Sequence, residues 1–483
     1  MIAKLVLFGA TGDLAGRYLL PALAALFNAG RLPDDFELVG AAREDHDDDA
    51  FRRLAAARLE EHAADVPSAA RHKLLDSLRY RRVELHEPSS IAQVIGGDVL
   101  EGAGSDSTVA VTPVAVYLAL PADLFPVAVT ALKSLGLPEG SRIVLEKPFG
   151  EDLESAVALN RLLAEVAGDA GEQAVFRVDH FLGLATVQNL LGMRLVNRVV
   201  EPIWNSTQIE QVDIVWEETL ALEGRAAYYD KAGQLKDMVQ NHLLQVLCLI
   251  AMELPAGPGE RELRDSKLDI LRSVRPLSAA DVASRTRRAR YTAGRIGDRA
   301  IPAYVDEAGV DATRNTETFA EVVLELDNAR WAGTRFVLRT GKAMARNRME
   351  VVVRFRAASS PPRGDVSLPP APNELRLGLA VEHPNDITLR LTASGGESPP
   401  ELMPLMLAAE LPAQELREYS RVLLEVLAGG SSLSIRGDEA EQAWRLLTPV
   451  LDAWNDDEVA LEEYPAGSDG PAPRPPATGP EAT

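Results

Sequence analysis

Leu5-Val6-Leu7-Phe8-Gly9-Ala10-Thr11-Gly12-Asp13-Leu14-Ala15 reads as a short apolar strand, a tight turn and the opening of a helix. A brief apolar run bounded by glycine is the sequence form of a strand buried on both faces. Gly9 and Gly12 let the backbone approach a pyrophosphate, which the helix N-terminus stabilises with free N–H groups and its dipole. Thr11, Asp13 and Leu14 complete the turn as candidate cofactor contacts. The spacing is Gly-x-x-Gly-x-x-Ala, not Gly-x-Gly-x-x-Gly, so a purely structural turn stays open; its place directly behind the first strand favours a dinucleotide.

Downstream, short β-branched runs alternate with helical patterns, the rhythm of a parallel sheet with crossover helices. Lys4 to Phe8 is the first strand, Leu14 to Asn28 a helix and Phe36 to Ala42 a second strand. Val114 to Leu120 and Arg142 to Leu145 are later strands, separated by a helix that begins after Pro121, and Glu146-Lys147-Pro148-Phe149-Gly150 closes the segment in a turn. Beyond about residue 200, strands follow one another without helices between them: Ile209 to Trp216, Thr318 to Leu326, Val337 to Arg339, Glu350 to Phe355, Leu375 to Val381 and Ile387 to Leu391. That order predicts a large, mainly antiparallel sheet. The expected architecture is an α/β Rossmann-like NAD(P)-binding domain over 1–177 and an α+β substrate-binding and dimerisation domain over 178–464. Residues 465–483, rich in Pro, Ala and Gly, are expected to form a disordered tail. An uncovered face or edge of so large a sheet is often buried by a second subunit, which implies a homodimer or homotetramer.

Composition narrows the partners. A formal net charge of −22 argues against nucleic acid or an anionic membrane surface. A lone cysteine, Cys248, rules out an internal disulfide framework, and no charged-then-apolar leader precedes the first strand, so the cytoplasm is the expected location. The longest apolar run, Leu243 to Met252, is too short to span a bilayer and reads as a buried helix. Arg43, just past the second strand, sits where a Rossmann domain meets the adenine ribose, and its guanidinium suits a 2′-phosphate. NADP is therefore the expected cofactor. NAD stays open because Glu44, Asp45 and Asp47 to Asp49 follow, a run read here as a solvated helix start.

Two further segments carry chemistry: Arg177-Val178-Asp179-His180-Phe181-Leu182-Gly183, and Lys236-Asp237-Met238-Val239-Gln240-Asn241-His242-Leu243-Leu244-Gln245. With the Gly-Ala-Thr-Gly-Asp-Leu-Ala turn and the Glu-Lys-Pro-Phe-Gly pentapeptide, they resemble the glucose-6-phosphate dehydrogenase family over about residues 4 to 456. Oxidising a sugar hemiacetal needs a base for the C1 hydroxyl proton, a task that histidine performs near neutral pH when a carboxylate fixes its tautomer. The resemblance implies that His242 is that base and Asp179 its orienting partner. It further implies that Lys147 bridges sugar and cofactor, with Pro148 a candidate cis bond. Glu218 and Asp237 would accept hydrogen bonds from sugar hydroxyls, His180 and Phe181 would line the phosphate, and Lys342 would belong to the sugar site. No metal is implied.

The pattern departs from that family in one loop. His-Tyr-Leu-Gly-Lys-Glu becomes His180-Phe181-Leu182-Gly183-Leu184-Ala185. The missing tyrosine hydroxyl is worth about 1 kcal/mol, and the missing ammonium at Leu184 roughly 1.5 to 3 kcal/mol. A second basic position is occupied by Asn347, with Arg346 and Arg348 as possible substitutes. Three readings follow: oxidation of glucose 6-phosphate to 6-phosphogluconolactone in the pentose phosphate pathway; oxidation of an aldose that is unphosphorylated or differently substituted at C6; and a catalytically weak regulatory homologue.

Overall fold

The computed structural model describes residues 1–95, 112–255, 257, 259–357, 372–379, 386–394, 402–412 and 414–472. They form two compact units, neither contiguous in sequence: one from 1–189, 252–269 and 412–445, the other from the described residues of 190–251, 270–411 and 446 onward.

The first unit is built on β1 (Lys4–Phe8), β2 (Glu37–Ala42), β3 (Leu78–Arg82), β4 (Val114–Leu118), β5 (Arg142–Glu146) and β6 (Val175–Val178). These strands pair in parallel in the order β6-β5-β4-β1-β2-β3, and β17 (Ser434–Ile435) adds an antiparallel edge beside β6. Strand order reverses between β1 and β4, the point at which a doubly wound sheet opens a crevice at its carboxyl ends. The expected helix over 14–28 is divided, with a π-helical stretch Ala15–Leu19 running into the α-helix Leu20–Asn28. A buried Lys267 to Glu439 ion pair, 2.9 Å long, ties the two late segments of this unit to each other.

The second unit holds β7 (Ile209–Glu217), β8 (Thr286–Thr292), the small hairpin β9 (Gly294–Ile296) and β10 (Arg299–Ile301), β11 (Phe319–Glu325), β12 (Arg335–Gly341), β13 (Arg348–Phe355), β14 (Glu374–Gly378), β15 (Asp386–Ser394), β16 (Leu402–Glu410) and β18 (Leu461–Pro465). Nine of these strands make one sheet, ordered β16-β15-β14-β13-β7-β12-β11-β8-β18. It is antiparallel except where β7 pairs with β12 and β8 with β18. Residues 380 and 381, at the end of the expected strand over 375–381, lie outside the described residues.

The first residues of the expected tail over 465–483 are not disordered. Tyr464 is buried and its hydroxyl donates to Lys342 O at 2.7 Å, Ala466 is buried, and Ala472 O accepts from Arg287 at 2.8 Å. Residues 465–472 are therefore packed, because Arg287 and Tyr464 supply polar partners that composition does not reveal; 473–483 lie outside the described residues.

Behind the His242 segment runs the helix Leu244–Ala251, every residue of which is buried, Cys248 included. A buried helix end leaves carbonyls that need donors. Arg194 reaches Ile250 O at 3.0 Å, the Trp204 indole N–H donates to Ile250 O at 2.8 Å, and that of Trp331 to Ala251 O at 2.7 Å. Arg194 is itself paired with Glu201 at 3.1 Å.

Candidate active site

The glycine turn stands at the carboxyl end of β1, at the strand-order reversal. Gly9 has φ 75°, and a Cβ there would lie 2.2 Å from Ala119 O, so no side chain is accommodated. Its N–H donates to Ala41 O at 2.8 Å, Gly12 N donates to Gly9 O at 2.9 Å, and the Thr11 hydroxyl donates to Glu44 Oε2 at 3.0 Å. Asp13, exposed, pairs with Arg17 at 2.7 Å, and Leu14 enters the helix. Arg43 follows β2 with its side chain 86% exposed, 3.5 Å from Glu44. The acidic run is a helix start: Asp47 caps Asp48–His62 by accepting from Ala50 N, and Asp48 accepts from Tyr80 N at 2.7 Å. A glycine turn at a helix N-terminus, with no room for a side chain at Gly9, and an exposed cation beyond β2 fit a dinucleotide with a 2′-phosphate.

The end of β5 delivers Glu146 and Lys147, and the Lys147–Pro148 bond is cis. Glu146 is buried and accepts a hydrogen bond from the Tyr117 hydroxyl. Burial pushes its carboxyl up to about 7, with Asp179 adding to the rise and Tyr117, Lys147 and Tyr419 opposing it. Past β6, Asp179 caps the short helix His180–Gly183, its Oδ1 accepting from Phe181 N at 2.9 Å. His180 stacks on Tyr419, ring centroids 5.4 Å apart and planes 12° apart. Phe181 and Leu184 are 3% and 6% exposed, so neither offers much surface to a ligand.

In the second unit, Glu218 follows β7 and binds Lys342 Nζ at 3.2 Å, while the Trp216 indole donates to its other oxygen at 3.2 Å. Lys342 Nζ also lies 5.2 Å from the Tyr229 ring centroid. Asp237 and His242 share a π-helical stretch, Leu235–Leu243, a geometry frequent at functional sites. The Tyr228 hydroxyl reaches Asp237 at 3.4 Å; His242 is 1% exposed and its backbone N–H donates to Asn241 Oδ1 at 2.6 Å. Glu317 holds the start of this stretch by accepting the Leu235 N–H at 2.9 Å. Gly233 makes room for it, since a Cβ there would stand 2.5 Å from the Glu317 carboxylate. Burial pushes the Glu317 carboxyl up to about 7 against that hydrogen bond. Asn347 accepts from Thr219 N at 2.8 Å, and Arg348 is engaged with Glu350 and Glu217, which leaves Arg346 as the exposed cation of this loop.

A glycine turn on a parallel sheet, followed by a sugar-type set of Lys, His and carboxylates, is the equipment of a nicotinamide-nucleotide oxidoreductase acting on a CH–OH group. Residues 6–189 match the profile of the glucose-6-phosphate dehydrogenase NAD binding domain and 191–475 that of the C-terminal domain. The chain belongs to the glucose-6-phosphate dehydrogenase family. It is 39% identical to the glucose-6-phosphate 1-dehydrogenase of Mycolicibacterium smegmatis, with 96% of this chain and 94% of the relative covered. It is 34% identical to that of Zymomonas mobilis, covering 98% and 96%. Among solved structures, a glucose-6-phosphate dehydrogenase in complex with glucose-6-phosphate superposes with TM-score 0.86 at 29% identity, covering 97% and 96% of the two chains. The Mycobacterium avium enzyme gives 0.83 at 30%, covering 98% and 96%.

Four groups escape sequence reading. Tyr117 reaches Glu146 and Tyr419 stacks on His180 from distant segments, and no local motif marks them. Glu317 falls in a stretch that looks like the family's second domain, but nothing local signals that it caps a helix eighty residues earlier. Glu146 lies inside the pentapeptide that highlights Lys147.

Proposed function

We propose that the chain oxidises glucose 6-phosphate at C1 to 6-phosphogluconolactone with NADP, the first oxidation of the pentose phosphate pathway. The observation that carries this reading is the likeness, across 97% of the chain, to a solved structure that holds glucose 6-phosphate. Bound NADP would supply the acceptor for the C1 hydride. His242 accepts the C1 hydroxyl proton, and Asp179 orients the imidazole and stabilises its charged form. Glu218 and Asp237 accept from sugar hydroxyls, with Lys342 and Tyr228 holding those carboxylates in place. Lys147 spans sugar and cofactor, and His180 meets the phosphate. Gly9, Thr11, Gly12, Asp13 and Leu14 receive the dinucleotide, and Arg43 its 2′-phosphate. The test is nicotinamide reduction, followed by absorbance, with aldoses and their 6-phosphates and with NADP and NAD separately. No reduction with glucose 6-phosphate sinks the proposal.

One observation favours the aldose without a phosphate as a second reading: Arg348, a possible substitute cation for the phosphate, is engaged with Glu350 and Glu217. The same substrate panel separates the two.

Arg43→Ala weakens NADP binding by about 2 kcal/mol and leaves NAD almost unaffected, because only NADP presents a charge to the guanidinium. Titration of both dinucleotides against the two proteins measures this; equal losses make Arg43 structural. Leu184→Lys has to bury an ammonium at a position 6% exposed and lowers unfolding free energy by about 2 kcal/mol without tightening the phosphosugar. Tighter phosphosugar binding at unchanged stability would show that residue 184 faces the substrate.

A homodimer or homotetramer in the cytoplasm completes the reading. Edge strand β16 exposes Met403, Leu405, Met406 and Leu407, which supports covering by a second copy; among the described residues, no helix is long and apolar enough to cross a membrane. Light scattering reads the oligomer directly.

A further inference from the structure

Within the second unit, the segment that follows β18 runs beside the loop that carries Lys342. That loop, 342–345, is held along both edges. On one side Ala343 N donates to Leu220 O at 2.8 Å and Met344 N to Glu218 O at 2.9 Å. On the other, Gly467 N donates to Ala343 O at 2.8 Å, Ala345 N to Ser468 O at 2.8 Å, and the buried Tyr464 hydroxyl to Lys342 O at 2.7 Å. We propose that Tyr464 and Gly467 are positioning residues: with the segment 464–468 they strap down the Lys342 loop and so fix the ammonium that, beside Glu218, meets the sugar. The inference rests on the reading of Lys342 as a member of the sugar site and assigns to residues beyond the last strand a part in substrate binding.

The loop needs such a hold because of its own backbone. Ala343 is buried with φ 52°, in the left-handed region that a residue bearing a Cβ adopts only where its surroundings enforce it. Its N–H is taken by Leu220 and its carbonyl by Gly467, so rotation out of that conformation breaks both bonds. Lys342 is pinned likewise, its N–H donating to Thr318 O at 2.9 Å while its carbonyl accepts from Tyr464. Space selects the glycine of the strap: at Gly467, φ 82°, a Cβ would stand 1.8 Å from Arg295 O. Ala466 anchors the strap in turn, donating to Thr292 O at 3.0 Å and accepting from Arg295 N at 3.1 Å. The Lys342 ammonium is thereby aimed at Glu218 Oε2, 3.2 Å away, and over the Tyr229 ring. Relaxation of Ala343 to negative φ turns the preceding lysine away from both.

Tyr464→Phe keeps the ring and removes the hydroxyl. KM for glucose 6-phosphate rises about 3- to 10-fold, the worth of one hydrogen bond, while kcat and NADP affinity are retained, because Lys342 binds sugar and moves no proton. Loss of packing alone has another signature: fewer active molecules, hence a lower apparent kcat at the same KM. Adding Ala343→Gly to Tyr464→Phe recovers most of the KM, since glycine takes positive φ without enforcement. A chain ended after Ala466 keeps Tyr464, lacks the Gly467 and Ser468 contacts and shows the same rise; it carries the test should Tyr464→Phe not fold. An unchanged KM in the strap variants, or a rise that Ala343→Gly does not reverse, would overturn the proposal. Lys342→Ala checks the premise separately: a raised KM there with none in the strap variants sinks this inference alone. An unaltered KM in Lys342→Ala, or no glucose 6-phosphate turnover by the unmutated chain, overturns the functional reading of the site and this inference with it.

Discussion

Replacing His242 with Asn lowers kcat by about 10² to 10⁴, the usual share of a general base, and leaves NADP binding nearly unchanged. The asymmetry follows from the architecture: Gly9 to Leu14 and Arg43, the proposed dinucleotide contacts, belong to the first unit, whereas His242 is rooted in the π-helical stretch of the second. Asparagine approximates the imidazole's size and can still hydrogen-bond, so the loss reports proton transfer and not a collapsed core. Asp179→Asn produces a loss of the same kind through the wrong tautomer. Steady-state kinetics, dinucleotide titration and a melting curve on each variant make the check. A His242→Asn protein with near-normal kcat would remove the residue from the mechanism.

The second large effect is on stability against pH. Burial raises the carboxyls of both Glu146 and Glu317 from the ordinary 4.5 to about 7. Each binds its proton more tightly in the folded chain than in the unfolded one. The associated stabilisation is complete below about pH 4 and is lost as the pH rises through 7, on the order of 3 kcal/mol for each group. Carboxylates held low by neighbouring cations, such as half-exposed Asp265 beside Arg436, act in the opposite direction and only under more acid conditions. Urea unfolding followed between pH 5 and 8 therefore shows falling stability, and the Glu146→Gln, Glu317→Gln double variant shows a flatter curve. Parallel curves for the two proteins would mean that neither carboxyl titrates in that window.

Strands and helix starts were legible where local chemistry is strong. The apolar run at Lys4–Phe8 and the acidic run that starts the helix at Asp48 both read directly from residue type. β3 and β8 were not legible, for opposite reasons. β3 is an edge strand whose Arg79, Arg81 and Arg82 can face solvent, so it lacks an apolar signature. β8 is buried yet arginine-rich, because Arg287 and Arg288 are neutralised by Glu462 and Asp457, some 170 residues away. In the candidate site, the residues expected to act were visible as blocks, but Tyr117, Tyr419 and Glu317 were not. Their contribution lies in long-range contacts that no periodicity encodes. The π-helical geometry around Asp237 and His242 is likewise set by tertiary packing, since its residues would equally suit an ordinary α-helix.

The sealed helix behind His242 has a further consequence for the handling of the enzyme. Its only thiol, Cys248, is wholly enclosed among residues whose last carbonyls are gripped by Arg194, Trp204 and Trp331. Thiol reagents and mild oxidants therefore meet this sulfur only when the helix behind the proposed general base comes loose. The rate at which Cys248 is alkylated becomes a built-in clock for the opening of the catalytic scaffold, readable without introducing any label.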